Sequence, residues 1–97
     1  MDSTPIFPLF DLGHVVVTPG AEVALRDADE DVEFLLDQYQ HGCWGSLSRS
    51  DRFDNAHAIE SGCGRIQGLY ALWTHEMIYV TTEPNRCTTT VMLPDEW

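Results

Sequence analysis

The chain has 97 residues, the size of one ordinary domain, and its 43% apolar content excludes an intrinsically disordered composition. Sixteen Asp and Glu stand against five Arg and no Lys, a formal net charge of −11. A field of that sign repels phosphates and anionic lipid headgroups, which excludes direct nucleic-acid and membrane binding as expectations and favours a basic protein partner.

The acidity is uneven: residues 1 to 60 carry a net −9 and residues 61 to 97 a net −2. No apolar run approaches the roughly 18 residues that span a bilayer, and Met1 to Thr4 lacks the basic start of a secretory leader, so a cytoplasmic protein is expected. Cys43, Cys63 and Cys87 form an odd set without a C-x-x-C spacing, read as reduced thiols buried as small hydrophobes.

In chain order, Ile6 to Val17 reads as a first strand, irregular at Pro5 and Pro8 and paired from about Leu12. Thr18-Pro19-Gly20-Ala21 has the form of a helix start, with Thr18 as N-cap and Pro19 where its missing N–H costs nothing; this helix ends near Ala28. Val32, Leu35, Leu36 and Tyr39 fall at i, i+3, i+4 and i+7 and predict a second helix from Asp31, closed by Gly42. Trp44, in a compact turn between glycines, is expected to plug the core. Ser48 to Asp51 repeats the capping pattern and opens a third helix through Ser61, stopped by Gly62, with Phe53, Ala56 and Ile59 or Glu60 as its inner side. Three β-branched and aromatic runs follow, Arg65–Trp73, Met77–Thr82 and Cys87–Leu93, separated by Thr74-His75-Glu76 and Glu83-Pro84-Asn85-Arg86. They predict a meander whose core side is Ile66, Tyr70, Leu72, Ile78, Val80 and Val91.

The expected fold is therefore one α+β domain over residues 1–97: a small antiparallel sheet of about four strands, in the order β-α-α-α-β-β-β, with two or three short helices packed on one face.

Leu12-Gly13-x-Val15-Val16-x-Thr18-Pro19-Gly20-Ala21, Gly42-x-Trp44-Gly45-x-Leu47-x-x-x-Asp51, Asn55-x-x-Ala58, Gly62-x-x-Arg65-Ile66, Ile78-x-Val80-Thr81-Thr82-Glu83-x-x-Arg86-x-x-Thr89-Thr90 and Leu93-Pro94-x-Glu96 stand in that order. This pattern resembles a family of small plasmid- and integrative-element-borne bacterial proteins, some labelled as associated with type I restriction systems. It departs from that family at Cys43, where an acid is expected, and at Trp97, where a tyrosine is. The resemblance implies a mobile-element setting and no catalytic set, ligand or cofactor.

Metal and catalytic motifs are weak. His41-x-Cys43 with Cys63, Cys87, His57 or His75 lacks the repeated short spacing of a structural zinc site. Asp54, His57 and Glu60 lie at i, i+3 and i+6, the pattern of a solvated helix face, although a small His/Asp/Glu enzyme would use them. Ser46, Ser48 and Ser50 are explained by capping, and Gly62-x-Gly64 follows a helix rather than opening one, the reverse of a phosphate loop. No catalytic residue, cofactor or metal is assigned.

The constellation with most physical content is acidic. Asp27, Asp29, Glu30, Asp31, Glu33 and Asp37 place six carboxylates within eleven residues, a spacing able to imitate a row of phosphates. The functional expectation is a non-enzymatic binding protein that engages a basic protein surface through these six residues, in the manner of an antirestriction or anti-CRISPR inhibitor. The alternative is a homo-oligomer, a homodimer in the simplest case, paired through Tyr79, Thr81, Thr88, Thr90 and a Cys87–Leu93 sheet edge.

Overall fold

The computed structural model describes residues 7–96. The expected irregularity at Pro5, the expected strand start at Ile6 and the terminal Trp97 lie outside the described residues. The elements are β1 (His14–Val17), α1 (Pro19–Asp27), α2 (Val32–Gln40), α3 (Arg49–Ser61), β2 (Ile66–Ala71), β3 (Met77–Thr82), β4 (Thr88–Met92) and a 3-10 turn, Pro94–Glu96. The α+β layout matches the expected element order. Each helix starts where a side chain serves an orphan N–H: Thr18 accepts from Ala21, Asp31 from Glu33 and Ser48 from Asp51.

The sheet order is β1-β4-β3-β2. The meander is antiparallel, pairing Gly68 with Val80 and Val80 with Val91, whereas β1 joins β4 in parallel, with Val15 opposite Thr89. The sheet is therefore mixed rather than wholly antiparallel. The reason is that β1 and β4 are separated by the three helices and β2–β3, a connection long enough for a crossover. The parallel pairing also corrects the expected Cys87–Leu93 edge, because β4 lies inside the sheet and β1 takes the margin. Gly13 permits the approach: its φ is 66°, and a side chain there would overlap the Cys87 carbonyl.

The opposite margin, β2, is closed by non-strand groups. Asn55 presents its side-chain amide to Gln67 as a strand would, Nδ2 donating to Gln67 O (2.7 Å) and Oδ1 accepting from Gln67 N (3.0 Å). Two residues on, Leu69 N donates to Trp44 O and Ser46 N to Leu69 O. The α3 helix thus flanks the sheet's edge. This overturns the expected inner side of α3. Phe53, Ala56 and Glu60 are exposed, Ile59 is half-buried, and Asn55 and Ala58 face inward. A helix set against a strand edge needs a hydrogen-bonding amide and a small neighbour there, not an apolar stripe.

The helices α1 and α2 cover the face formed by Ile66, Tyr70, Ile78, Val80 and Val91, all buried. Trp44 fills the core as expected, stacked on Phe10 at 6.1 Å and edge-on to Tyr39 at 5.7 Å. All three cysteines are exposed, contrary to the burial expected of them. They occupy loops at Cys43, Cys63 and just before β4, where no apolar layer covers the chain.

A chain of hydroxyls crosses the buried face. Tyr39 Oη donates to Ile66 O (3.0 Å) and meets Thr82 Oγ1 (2.7 Å); Thr82 meets Thr89 Oγ1 (2.8 Å), which donates to Leu12 O (2.7 Å). Three protons serve four contacts, so the middle hydroxyl, Thr82, is the one whose loss leaves both carbonyls with a donor. Thr89→Val should strand the Leu12 carbonyl and cost about 1–3 kcal/mol in urea denaturation, against about 1 kcal/mol or less for Thr82→Val; equal costs would contradict this arrangement.

Burial raises the pKa of both Tyr39 and Tyr70 above the ordinary value near 10, the neighbouring Tyr39 adding to the rise at Tyr70. Above pH 10 the unfolded chain releases these protons and the folded chain retains them. Stability that is fully present below pH 10 should therefore fall as pH rises, by about 1.4 kcal/mol per unit for each tyrosine. Chemical denaturation between pH 9 and 11 checks this, and Tyr70→Phe should flatten the slope.

Candidate interaction surface

The six carboxylates of the acidic run are all exposed and are gathered on α1, α2 and the turn between them. Local physics explains some of them. Asp31 is the N-cap of α2 and Glu33 sits in its first turn, where the positive end of the helix dipole favours an acid. Asp27 and Asp29 are placed against that preference, at the negative end of α1. The turn is a Schellman closure, Asp29 N donating to Arg26 O and Glu30 N to Leu25 O. Asp29 holds the left-handed position (φ 55°) that glycine usually takes. Neither carboxylate is required by the fold there.

The arginines do not neutralise the run. Arg26 pairs with Glu22 (2.9 Å) and Arg65 with Glu83 (3.1 Å). Arg52 donates to the Leu47 and Gly45 carbonyls, and Arg86 to those of Gly64 and Ala58, joining the β3–β4 turn to the end of α3. Among the described residues, Asp37 is the one of the six with an ion-pair partner in reach, His41 at 3.6 Å, charged only when its ring is protonated, and that ring also bonds the Asp37 carbonyl.

Two aromatic side chains flank the acids. Phe34 is 61% exposed and Trp73 69%, and the Trp73 indole is fixed by an Nε1 hydrogen bond to Ala28 O (2.6 Å), inside the α1–α2 turn. A cleft of about 250 Å³ runs beside Phe34, Glu30 and the end of β2. A larger one, about 620 Å³, lies between α1 and the β2–β3 turn, with Val23, Pro19 and Leu93 as apolar walls and Asp27 and Glu76 at its rim. Thr74 also lines it, and the Thr74 hydroxyl is buried without a hydrogen-bond partner, an arrangement that costs about 1–3 kcal/mol. At the α1 end, Glu96 accepts from Thr18 Oγ1 (2.7 Å) and Leu93 N (2.8 Å), and these bonds, Thr18 first, hold its carboxyl below the usual pKa.

These neighbours were partly visible in the pattern. Phe34 falls off the stripe of α2, and alternation that buries Tyr70 and Leu72 turns Trp73 outward. Nothing local links Glu76 or Thr74 to Asp27.

The other candidate groups stand apart. Asp54 and His57 line an open groove of about 320 Å³ with Cys63 and Arg65, while Glu60 points to solvent outside it. Among the described residues, no group of three or more His, Cys, Asp or Glu is placed to hold a metal ion. No helix is long and apolar enough to cross a membrane, again among the described residues. Comparison with known protein families, curated proteins and solved structures finds no match.

The division of the acids makes a stability prediction. Asp31→Ala should cost about 1 kcal/mol through loss of the α2 cap. Neutralising Asp27 and Asp29 to amides should leave stability within about 0.5 kcal/mol, because it removes like-charge repulsion without removing a fold contact. Urea denaturation of the two variants separates them; a large loss in the double variant would make those acids structural.

Proposed function

We propose that this chain is a non-catalytic acidic binding protein that engages a basic protein surface through the α1–α2 turn. The observation that carries the reading is the placement of Asp27 and Asp29 at the negative end of α1, exposed and with no ion-pair partner among the described residues, where helix energetics disfavour them. Acids kept at an unfavourable position, beside others at a favourable one, form a continuous negative ridge that the fold does not need. Such a ridge attracts a surface built to hold nucleic-acid phosphates and competes for the same counterion-release energy.

The resemblance to mobile-element proteins supports a nucleic-acid-binding defence complex as the partner, with this chain acting as its antirestriction or anti-CRISPR inhibitor in the cytoplasm. Exposed aromatics beside the acids support a protein partner over a bare polyelectrolyte, since aromatic anchors concentrate binding energy at protein interfaces.

The test is capture from host lysate with the wild-type chain and with an Asp27→Asn, Asp29→Asn, Glu30→Gln, Glu33→Gln variant. A partner retained at low salt, released at several-fold higher salt and bound at least tenfold more weakly by the variant is expected. Capture that is indifferent to both salt and these substitutions would overturn the reading.

A further inference from the structure

The two margins of the sheet are not equivalent. The Asn55 amide and the Trp44–Ser46 backbone occupy the β2 side, whereas β1 forms the other. His14 N donates to Cys87 O (2.8 Å) and Thr18 N to Val91 O (2.9 Å), so the even-numbered residues of this strand direct their backbone groups to β4. In a parallel ladder the intervening residues point the opposite way, which turns the N–H and C=O of both Val15 and Val17 to the open margin. No backbone or side-chain group stands opposite them among the described residues. An edge in that state is a template for one more strand.

What flanks the margin sets its occupant. His14 to Thr18 carries no acid or Arg. A cleft of about 310 Å³ begins at Val17, the last residue of the edge strand, with Leu25 and Val32 as apolar walls and Glu22, Arg26, Glu30 and Asp31 around them. Arg26 is already engaged by Glu22 (2.9 Å). Glu30 and Asp31 have no ion-pair partner among the described residues, and they continue into the acidic ridge. A second copy of the chain would bring another net −11 and another pair of these carboxylates to the seam. A basic strand is attracted by the same groups.

We propose that the β1 margin takes up an extended basic segment of the partner protein as a fifth strand; the inference rests on the proposed function and adds the mode of attachment. Val15 and Val17 exchange backbone hydrogen bonds with it, and its side chains alternate between the two faces of the sheet. Val15 and Val17 pack toward the core, so residues of the segment on that side lie at the mouth of the cleft. There Leu25 and Val32 suit the methylenes of an arginine or lysine, and Glu30 and Asp31 suit its charged end. Residues on the other side lie beside Val16, which is 40% exposed, and there a branched apolar residue fits. The segment recognised therefore alternates basic with β-branched residues.

The probe is an acetylated, amidated seven-residue peptide alternating arginine with valine, titrated into the full chain at low salt and followed by amide NMR shifts. The Val15 and Val17 N–H signals should move most, together with those of Glu30 and Val32, and the peptide with glutamate in place of arginine should bind at least tenfold more weakly. Two further peptides keep the arginines and are N-methylated, one on every arginine amide and one on every valine amide. A strand presents only one of these sets to the margin, so their affinities should differ at least tenfold. Equal affinity of the methylated pair, or shifts confined to residues 27–37, refutes strand addition and leaves the acidic ridge standing. If the parent peptide fails to bind even at low salt, both fall. A free chain whose light-scattering mass is twice that of one chain, with Val15 and Val17 unmoved by the peptide, assigns the margin to a second copy and overturns the proposal.

Discussion

Everything in this molecule hangs from the buried hydroxyl chain that runs from Tyr39 through Thr82 and Thr89 to the Leu12 carbonyl. It joins α2, the β3–β4 hairpin and the segment entering β1, three pieces that no short loop connects. A buried polar group is tolerated only with a partner, so each hydroxyl fixes the depth and rotation of the element that carries it. An apolar core of the same volume would hold these elements together with less discrimination between registers, since Val80 against Val91 packs much as Val80 against another branched residue would. The hydroxyls specify which residue of β4 faces which residue of β3.

That constraint has an effect on the far side of the fold. With α2 pinned through Tyr39, the preceding turn is carried against the end of β2, where Ala28 receives the Trp73 indole. The acidic ridge is thus set relative to the β2–β3 turn by a rigid core rather than by loop contacts. Interfaces gain from such preorganisation because little freedom remains to be lost on binding.

How much of this could be read beforehand follows from the range of each interaction. The three helix starts at Thr18, Asp31 and Ser48 were legible because a cap acts within three residues. Strand β3 was legible end to end because its neighbours impose a period of two on its own sequence. The parallel seating of β1 was not, since a strand's partner and direction are decided by residues more than seventy positions away. The edge-closing role of Asn55 was illegible for a related reason, although Asn55 and Ala58 both stand in the pattern that carries the resemblance. Mid-helix asparagine reads as a solvated polar residue, and only the arrival of Gln67 turns its amide into a surrogate strand. The acidic run was visible as composition, but its division into capping and unrequired acids needed the end of α1 to be located. The meeting of Asp27 with Thr74 and Glu76 has no local signature at all.

The closure of the β2 margin bears on a different property of the fold. Sheets polymerise when both edges accept a strand, because each added copy then presents a new acceptor. Here one edge is terminated by the Asn55 amide and the Trp44–Ser46 backbone, which leaves only the four residues of β1 as a margin not paired by another strand among the described residues. An added copy could meet that margin only through its own β1, and such a self-complementary contact consumes both edges and ends at two. The architecture carries a built-in stop against fibre growth, supplied by the Trp44–Ser46 backbone and by the Asn55 side chain that also holds α3 in place.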